Sequence, residues 1–462
     1  CYTNSLGGGS MNFSTLAIYN PWWRADKGAE ELCDSLLKGF EDKMYKREYA
    51  GRLDLSGNGV YVVRGMRQIG KSTLMKTLIA SLIQQNQRRS VLYLPLDTVS
   101  SFEQLRELLI RYLQFAETEK KRYLFIDEIS MVNQWQRAIK ELRDNTAMSE
   151  DVFVLSGSSA WDLKRDSERL PGRKGNVQSD HVLLPVTFRE YLTQRIPDLP
   201  HRRNLQEILA LAERDALEWS LFGEKLLVEW ECFRQTGGIP SVIESHISGK
   251  SALALVNDFW DILIGDIERL GLSRAKLVKV LDYTMKRIST RFSWNAAASE
   301  IEVDTKTFQK YVEALGANFV LLTLKALDTN TGQPSEKKQK KLYFADRFFL
   351  EVLRQKMGNL IGEPALIEQQ FVVNCVYAFG RFLENGLDAI SGVGYWYSKQ
   401  GSEVDLLIDS VPIELKYQNH IQRSDLSVIS KTFKRGIIVS KQTLNVEHEI
   451  KIIPIHLFLA MV

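Results

Sequence analysis

Short apolar runs alternate with stretches of helical periodicity between residues 60 and 160. The runs are rich in β-branched, aromatic and leucine residues, and they lie at Val60–Val63, Val91–Leu96, Tyr123–Ile126 and Val152–Leu155. They lack the polar–apolar alternation of a half-exposed strand, so they predict strands that are buried on both faces. The intervening stretches predict helices at Ser72–Gln85, Ser101–Ala116 and Asn133–Arg143. Strands that alternate with helices in this way predict a parallel α/β sheet.

The pattern changes twice after residue 185. Residues 188–270 have helical periodicity, interrupted at Gly237-Gly238-Ile239-Pro240, and residues 271–325 predict short helices followed by the strand Phe319–Leu324. After the polar segment Asp328–Lys341, mixed α/β structure is predicted, with a helix at Ala365–Phe379 and strands at Tyr395–Tyr397, Glu403–Ile408, Val411–Lys416 and Gly436–Val439. We therefore expect domains at residues 11–185, 186–270, 271–345 and 346–462.

Composition and charge restrict the class of protein. The chain has 462 residues, which at about 150 residues per domain corresponds to about three domains. Its 44% hydrophobic and 25% charged residues are typical of globular proteins. The 60 Lys and Arg residues nearly balance the 57 Asp and Glu residues, for a net charge of +3. Binding to nucleic acid would therefore need a local basic patch.

The cysteines and the first residues exclude further possibilities. Four cysteines lack the spacing of a zinc site or a disulfide framework, and they are Cys1, Cys33, Cys232 and Cys375. Apolar runs stay well below the roughly 18 residues of a membrane span, so the sequence predicts a cytoplasmic protein without a membrane partner. Residues 1–10 (CYTNSLGGGS) resemble an expression tag with a linker, and we expect the native chain to begin at Met11.

The motif that follows the first predicted strand carries the strongest chemical signal. It fits G-x-x-x-x-G-K-[ST] and consists of Gly65, Met66, Arg67, Gln68, Ile69, Gly70, Lys71 and Ser72, with Thr73 next in the predicted helix. Glycines let backbone N–H groups and the helix N-terminus approach phosphates closely. We expect Lys71 to contact the β- and γ-phosphates of ATP and the Ser72 hydroxyl to ligate Mg²⁺. The alternative is an ordinary glycine turn before a helix.

Two carboxylates follow the third apolar run. Asp127 is expected to hold Mg²⁺, and Glu128 is expected to orient or deprotonate the attacking water. The alternative is that two acids simply cap the end of a strand. We expect the strand Val91–Leu96 to lie between the two strands that precede these motifs. That order is the one found in P-loop ATPases rather than in nucleotide kinases.

Two further polar segments each allow a functional and a structural interpretation. Ser156-Gly157-Ser158-Ser159 follows the fourth run, where a hydroxyl could sense the γ-phosphate or position water, or could belong to a plain turn. Arg173, in Pro171-Gly172-Arg173, is a candidate arginine finger that would act in its own subunit or in a neighbouring one. An ordinary surface arginine is the alternative.

Several of these segments together resemble a known family. In chain order they are Asn20-Pro21-Trp22-Trp23, GMRQIGKST, LFIDEI, LSGSSA, LPGR, LPVTFREYL and GGIP. They resemble an archaeal and bacterial family of AAA-type ATPases, and the resemblance extends over nearly all of residues 18–440. It implies a P-loop domain that binds ATP, a helical region, and a domain of uncharacterised function with a nuclease-like core. We expect residues before the loop, around Trp22–Trp23, to recognise adenine.

Residues 293–344 have the outline of a winged helix-turn-helix. Helices predicted at Ser293–Glu300 and Asp304–Leu315 precede a strand, a polar loop and the strand Leu342–Phe344. The second helix has a capping candidate at Asp304 or Thr305. Lysines and a glutamine are expected to face DNA from this helix and from the loop, and they are Lys306, Gln309, Lys310, Lys337, Lys338, Lys340 and Lys341. The alternative is a packing module between domains.

The C-terminal part carries a second set of acids. A hairpin would bring Asp405, on one predicted strand, beside Glu414 on the next, and Lys416 shares a strand face with Glu414. Two carboxylates for Mg²⁺ and a lysine beside the attacking water suit metal-assisted hydrolysis of a phosphodiester. With the helical Glu368, these residues resemble a restriction-endonuclease-like catalytic site. A solvated strand face is the alternative.

The sequence therefore predicts an α/β protein with a P-loop NTPase sheet, a helical and winged-helix middle region, and a C-terminal restriction-endonuclease-like domain. Hydrolysis of Mg-ATP would be coupled to a half that acts on double-stranded DNA, with metal-dependent cleavage as one option. The alternatives are an ATP-switched DNA-binding protein without cleavage and an ATPase that remodels or signals through proteins. A homo-oligomer is compatible with each of them.

Overall fold

The computed structural model describes residues 13–24, 28–49, 53–85, 88–99, 101–116, 121–157, 180–329, 331–382 and 390–462. Its internal contacts divide the chain into two compact units, Cys1–Leu183 and Leu184–Val462. The first unit contains the phosphate-loop motif, and the second contains the candidate winged-helix and nuclease-like segments.

A five-stranded parallel sheet forms the core of the first unit. Its strands are β1 (Gly59–Arg64), β2 (Val91–Pro95), β3 (Tyr123–Asp127), β4 (Val152–Gly157) and β5 (Asp180–Val182). Every residue of β1 and β4 is buried, as continuous apolar runs predict for strands covered on both faces. The predicted parallel sheet is thus confirmed.

Helices connect and flank these strands. They are α1 (Phe13–Tyr19), α2 (Ala29–Glu41), α3 (Lys71–Gln84), α4 (Phe102–Phe115) and α5 (Trp135–Asn145). Helix α2 packs against α3, and α4 packs against α5. The three predicted helices in this region are confirmed to within one or two residues at each end, which is the usual uncertainty of helix boundaries.

The order of strands in the sheet is β2-β3-β4-β1-β5. Strand β4 therefore lies between β1 and β3, the two strands that precede the motif residues, and β2 is at the edge. The prediction that Val91–Leu96 lies between them is wrong, although a strand does occupy that position. A parallel connection crosses over the face of the sheet and can leave a gap that a later strand fills. Position along the chain therefore does not fix position in the sheet.

The segment before α2 is bonded to the edge strand β2. The amide of Asn20 donates to Tyr93 O at 2.8 Å and its oxygen accepts from Tyr93 N at 2.6 Å. The indoles of Trp22 and Trp23 both donate to Val91 O, at 3.0 and 2.8 Å. Both tryptophans are buried and bonded to β2, so their indoles are not open to adenine in this arrangement. Their role in the structure is to satisfy backbone groups of β2 that would otherwise lie unpaired at the sheet edge. Adenine recognition by other residues before the loop stays a prediction.

The second unit begins with helices. They are α6 (Phe188–Leu192), α7 (Leu205–Leu209), α8 (Glu213–Ser220), α9 (Gly223–Thr236), α10 (Pro240–Ile247) and α11 (Leu253–Arg269). The predicted interruption between α9 and α10 is confirmed. Gly237 there has φ of 75°, and a Cβ at this position would lie 2.2 Å from Asp346 Oδ1. Glycine is thus required both by the backbone conformation and by the close approach of Asp346.

Residues 274–344 form three helices and a small antiparallel sheet. In chain order these are α12 (Arg274–Lys286), β6 (Arg291–Phe292), α13 (Trp294–Glu300), α14 (Thr305–Ala317), β7 (Leu321–Lys325) and β8 (Lys340–Phe344). The sheet order is β6-β8-β7. Of the two capping candidates, Asp304 caps α14, because its Oδ1 accepts from Thr307 N at 2.9 Å.

Two of the four lysines assigned to the polar loop do not lie in it. Lys340 and Lys341 belong to β8 and are only 4% and 2% exposed, so the prediction that they face DNA phosphates is wrong. Lys340 Nζ donates to Glu336 O at 2.8 Å, whereas Lys341 points to carboxylates of the C-terminal part. Lys337 is exposed and Lys338 is partly exposed. Adjacent residues of a strand face opposite sides, which separates the two buried lysines.

The C-terminal part consists of helices and a mixed sheet. The helices are α15 (Arg347–Met357), α16 (Glu363–Phe379), α17 (Ser427–Thr432) and α18 (Ile455–Met461). The sheet has the order β11-β12-β13-β14-β15, with β11 (Val393–Tyr397), β12 (Glu403–Ile408), β13 (Val411–Lys416), β14 (Gly436–Ser440) and β15 (Ile450–Pro454). A separate short pair joins β9 (Arg381–Phe382) and β10 (Ile390–Ser391).

The central hairpin of this sheet is β12–β13. These two strands are antiparallel, whereas β13, β14 and β15 are mutually parallel. The predicted helix and strands of this region are confirmed, but the prediction lacks α15, α17, α18, β9, β10 and β15. Within the described part of the chain, no helix is both long and apolar enough to cross a membrane.

Candidate functional sites

The phosphate-loop motif lies between β1 and α3. Helix α3 begins at Lys71, and its first turn is closed by the bond from Leu74 N to Gly70 O at 2.9 Å. Gly70 has φ of 102°, and a Cβ there would lie 2.1 Å from Tyr49 Oη. A glycine at this position therefore lets the loop turn tightly into the helix. The resulting helix N-terminus is suited to bind an anion.

Lys71 is held against the loop that it follows. Its ammonium group donates to Gly65 O and to Met66 O, both at 2.9 Å, and the residue is 6% exposed. The lysine charge therefore lies beside the loop backbone, where the motif requires it. The remaining predicted nucleotide-binding residues surround it: Ile69 is fully buried, Arg67 and Thr73 are partly exposed, and Gln68 and Ser72 are exposed.

Asp127 ends β3 with both carboxylate oxygens hydrogen-bonded. Tyr93 Oη donates to Asp127 Oδ2 at 2.8 Å, and Ser156 Oγ donates to Asp127 Oδ1. Burial, with help from the nearby Asp127 charge, raises the pKa of Tyr93, so the phenol stays protonated and remains a donor. Ser156 is paired with Val63 in the sheet register, two residues before the loop begins. Asp127 is thus fixed by neighbouring strands beside the phosphate loop.

Glu128 has an unusual backbone and an unsatisfied side chain. Its φ of 55° is left-handed, a conformation that non-glycine residues adopt rarely and often at functional sites. Glu128 N donates to Ser156 Oγ at 3.1 Å. Glu128 Oε2 is buried, and it has no hydrogen-bond partner among the described residues. A buried acceptor of this kind suits a water molecule next to bound nucleotide, so the residues present fit Mg-ATP.

Some of the residues predicted for this site lie outside the described residues. They are Ser158, Ser159 and Arg173, which fall between residues 158 and 179. Of the hydroxyls predicted after the fourth strand, Ser156 contacts Asp127 and the amide of Glu128. The sequence did not point to Tyr93, because a tyrosine within an apolar strand gives no signal that its hydroxyl meets an acid on the neighbouring strand.

The second set of acids meets on the β12–β13 hairpin. Asp405 N donates to Glu414 Oε2 at 3.2 Å, and Leu415 N donates to Asp405 Oδ2 at 2.9 Å. Lys416 Nζ donates to Glu414 Oε1 at 2.7 Å. The hairpin thus brings the two carboxylates and the lysine together, as the spacing predicts.

Glu368, on α16, joins the same group, and we call Glu368, Glu403, Asp405 and Glu414 the carboxylate cluster. Tyr343 Oη donates to Glu368 Oε1 at 2.9 Å. Burial, together with the charge of Asp405, raises the pKa of Glu368 and of Glu414. Burial likewise raises the pKa of Asp405. Several carboxylates brought together out of water repel one another, so the cluster favours any cation that reaches it.

Three basic side chains contact the cluster. Lys341 Nζ lies 2.6 Å from Glu403 Oε1, and Arg291 Nε lies 2.9 Å from Glu403 Oε2. Burial alone would lower the pKa of Lys341, but the neighbouring carboxylates raise it above its ordinary value. Lys416 is the third cation. Sequence reasoning found Lys416 but missed Arg291 and Lys341, because their partners lie far away along the chain.

The donor chemistry of the cluster fits a divalent cation, since carboxylate oxygens are the ligands that Mg²⁺ prefers. Asp405 and Glu414 are the residues that would hold it. Among the described residues, however, no three His, Cys, Asp or Glu side chains are arranged around a common point as metal ligands. In the structure, the carboxylates turn toward lysine, arginine and backbone N–H groups instead.

Comparison with known proteins identifies two regions. Residues 57–192 match the family model of an AAA domain, and residues 231–358 match a domain of unknown function (DUF8612). An uncharacterised protein of Haemophilus influenzae is 25% identical over 283 residues, which cover 58% of this chain and 63% of that protein. One of Methanocaldococcus jannaschii is 25% identical over 167 residues, covering 35% of this chain and 34% of that protein. The chain thus spans less than two thirds of the length of these relatives.

Similar solved structures include two proteins of Aeropyrum pernix, ORC2 and ORC1. The ORC2 protein, in ADPNP-ADP complexes, is 13% identical with a TM-score of 0.36, covering 72% of this chain and 94% of that one. The ORC1 protein, in complex with DNA, is 11% identical with a TM-score of 0.29, covering 71% and 91%. Scores this low do not establish a shared arrangement over that length. Residues 57–192 thus match an AAA domain, and the parallel sheet and the glycine loop found there agree with that match.

Proposed function

We propose that the chain binds and hydrolyses Mg-ATP in its AAA-type domain and couples this reaction to DNA binding by its second unit. The observation that carries the ATPase proposal is Glu128 Oε2, which is buried one residue after Asp127 and has no hydrogen-bond partner in the described part of the chain. An acceptor in this position can take a proton from an attacking water or orient it. The glycine loop and Lys71 supply the phosphate contacts.

Each residue of the proposed ATP site has a separate role. The loop N–H groups and the Lys71 ammonium bind the phosphates, while the Ser72 hydroxyl and the Asp127 carboxylate are the groups that would hold Mg²⁺. The cation would neutralise phosphate charge in the transition state. Tyr93 and Ser156 orient Asp127, and Ser156 also fixes the backbone of Glu128. Arg173 remains a proposed arginine finger.

The ATPase proposal is tested by replacing Glu128 with glutamine. Glu128→Gln keeps the shape of the side chain but removes the base, so ATP binding should persist while turnover falls by about 100-fold or more. Binding of a fluorescent ATP analogue and release of phosphate are measured on the same preparation. Equal turnover by Glu128→Gln and the wild type would overturn the role of Glu128.

We propose that residues 274–344 form a winged helix that binds double-stranded DNA. Their element order, helix-strand-helix-helix-strand-strand, supports this assignment. So does the surface of α14, where Lys306 and Lys310 are exposed and Gln309 is partly exposed. A helix with this surface suits the major groove, and Lys337 in the loop between β7 and β8 suits phosphate contacts.

Fluorescence anisotropy tests the DNA proposal. Labelled duplex DNA is titrated with the full chain at two salt concentrations, with and without a non-hydrolysable ATP analogue. Binding that weakens with salt and changes with nucleotide is expected, because phosphate contacts release counterions. Absence of binding at low salt in both nucleotide states would overturn the proposal. If ATP then changed the oligomeric state of the chain, the result would favour the alternative function. In that alternative the chain is an ATPase that acts on proteins and forms a homo-oligomer in one nucleotide state.

A second candidate function is metal-dependent cleavage of DNA. It is supported by the contacts that join Asp405, Glu414 and Lys416 on one hairpin, with Glu368 beside them. In this proposal Asp405 and Glu414 hold Mg²⁺, and Lys416 positions or activates water. Lys416→Ala should abolish nicking of plasmid DNA in the presence of ATP and Mg²⁺ but leave ATP turnover unchanged. Nicking that survives both Lys416→Ala and Asp405→Asn would overturn it.

A further inference from the structure

Lys341 is a buried lysine within the carboxylate cluster. Its Nζ lies 2.6 Å from Glu403 Oε1, 3.5 Å from Glu368 Oε1 and 4.0 Å from Asp405 Oδ1. The side chain is 3% exposed, so it cannot contact a DNA phosphate in this arrangement. Three carboxylates around one ammonium group compensate the cost of burying the charge.

Lys341 comes from a different part of the fold from its partners. It lies on β8, in the small sheet that we propose as part of a winged helix, and Glu403 and Asp405 lie on β12. Arg291 of β6 is paired with Lys341 in the sheet register, and both side chains contact Glu403. The small sheet thus presents two cations to the carboxylate cluster.

We propose that the Lys341 ammonium is the built-in counter-ion of the carboxylate cluster and competes with a divalent cation for it. The inference rests on the second candidate function, in which Asp405 and Glu414 hold the metal. It explains why the cluster has the right donors while their oxygens point to basic groups rather than around a common point. In this structure the small sheet therefore keeps the cluster in a form that binds metal weakly.

The competition follows from distance and charge. A divalent cation lies about 2.1 Å from a carboxylate oxygen that ligates it. Because Asp405 Oδ1 is 4.0 Å from Lys341 Nζ, the cation would lie within about 6 Å of the ammonium group. Repulsion at that separation is strong in a site that is largely buried. The Lys341 charge therefore weakens the binding of a divalent cation at Asp405, and removing that charge should strengthen it.

Binding of Mn²⁺, measured by the loss of the free-ion electron paramagnetic resonance signal, tests this inference without any reading of activity. The full chain is used without nucleotide, and all variants carry Asp127→Asn so that the AAA-type domain does not contribute. Lys341→Met removes the charge but keeps a similar volume. Lys341→Gln is a second neutral variant whose amide can still donate to Glu403. Lys340→Met is the matched control, since this neighbouring buried lysine faces Glu336 instead.

We expect the chain that carries only Asp127→Asn, and its Lys340→Met variant, to bind Mn²⁺ weakly. Lys341→Met and Lys341→Gln should bind Mn²⁺ about tenfold more tightly or better, and adding Asp405→Asn should abolish the gain. If the Asp127→Asn chain and the Lys341 variants bind Mn²⁺ equally, and this binding depends on Asp405, the inference is overturned but the proposed metal site remains. Absence of Asp405-dependent binding in every variant would overturn the metal site itself, and the inference with it.

Discussion

Tyr93 and Asp127 lie on adjacent strands, and the phenol of Tyr93 donates a 2.8 Å hydrogen bond to Asp127 Oδ2. The backbone of Tyr93 is in turn bonded to the side chain of Asn20 through both its N–H and its C=O. Ser156 occupies the other oxygen of Asp127. Asn20, in the segment near the start of the chain that resembles a family motif, thus holds the edge strand β2. Through Tyr93 of that strand it helps to position Asp127, the candidate Mg²⁺ ligand.

Removing the Tyr93 hydroxyl should weaken the response to Mg²⁺. In Tyr93→Phe, Asp127 keeps the bond from Ser156 and loses the charge-assisted bond from the phenol. We expect the Mg²⁺ concentration for half-maximal ATP turnover to rise by about 3- to 10-fold, while binding of ATP without Mg²⁺ stays unchanged. Turnover is measured over a range of Mg²⁺ concentrations at saturating ATP.

Tyr112→Phe is the matched control for this experiment. Tyr112 is also buried in the first unit, but its hydroxyl donates to Arg89 O instead. It should lose some stability and keep the wild-type dependence on Mg²⁺. If Tyr93→Phe and Tyr112→Phe show the same Mg²⁺ dependence, Tyr93 does not orient Asp127.

Loss of the Lys71 ammonium group should impair nucleotide binding. Lys71→Ala removes the charge that we assign to the β- and γ-phosphates, and charge-assisted bonds to phosphate are among the strongest in proteins. We expect affinity for ATP to fall by about tenfold or more, and affinity for AMP to change much less. Isothermal titration with both nucleotides checks this, and an equal loss for ATP and AMP would argue against the assigned phosphate contacts.

The close approach of Tyr49 to Gly70 makes a specific prediction about the loop. A Cβ at Gly70 would lie 2.1 Å from Tyr49 Oη, and the left-handed backbone adds strain of about 1–3 kcal/mol for a non-glycine residue. Gly70→Ala should therefore lower both thermal stability and ATP affinity. Combining it with Tyr49→Phe should restore part of the loss, since the clashing oxygen is gone. No restoration in the double variant would show that backbone strain alone accounts for the loss.

The first unit was the most predictable part of the fold, for a physical reason. Strands buried on both faces leave uninterrupted apolar runs, and a polar cap such as Ser101 marks where a helix between them begins. The last residues of the chain show the limit of that signal. β15 and α18 follow each other within one apolar stretch, where periodicity cannot separate a strand from a helix.

In the two candidate sites, the sequence predicts the residues that are close together along the chain but not those that are far apart. The phosphate loop and Asp405, Glu414 and Lys416 were found because each set is local in sequence, within a loop or a hairpin. The sequence predicts Lys341 in a polar loop, because it follows other lysines in a polar segment. Its burial depends on Glu403, more than sixty residues away, so only the folded chain reveals it. Long-range ion pairs leave no periodic trace in the sequence.

Charge reversal on α14 should test the proposed groove-binding surface. Lys306→Glu with Lys310→Glu places two negative charges on its exposed face, so duplex binding should weaken by about tenfold or more and become less steeply dependent on salt. Anisotropy titrations at two salt concentrations measure both effects. Lys225→Glu with Lys250→Glu, at two exposed positions outside residues 274–344, is the control for the same change in net charge. A similar loss in the control would indicate a non-specific effect of net charge.

Buried Asp346 should make stability depend on pH between about 4 and 7. Its Oδ2 accepts from Gly238 N at 2.7 Å and its Oδ1 from Phe348 N at 2.8 Å, which joins the turn after α9 to the start of α15. Burial nevertheless raises the pKa of Asp346 to about 6, from an ordinary value of 3.8. The folded state therefore binds this proton more tightly than the unfolded state does.

The sign of the pH effect follows from that difference. Below about pH 4 the group is protonated in both states and costs nothing, whereas above about pH 6 the folded state must bury a charge. The free energy of unfolding should thus lose up to about 3 kcal/mol through this group as pH rises across that window. Asp346→Asn cannot ionise, so it should gain stability relative to the wild type over the same range. Urea unfolding of both proteins at pH 4.5 and pH 7 measures this, because contributions of all other groups cancel in the difference. A difference that stays constant with pH would mean that Asp346 is ionised throughout and that its two N–H donors outweigh its burial.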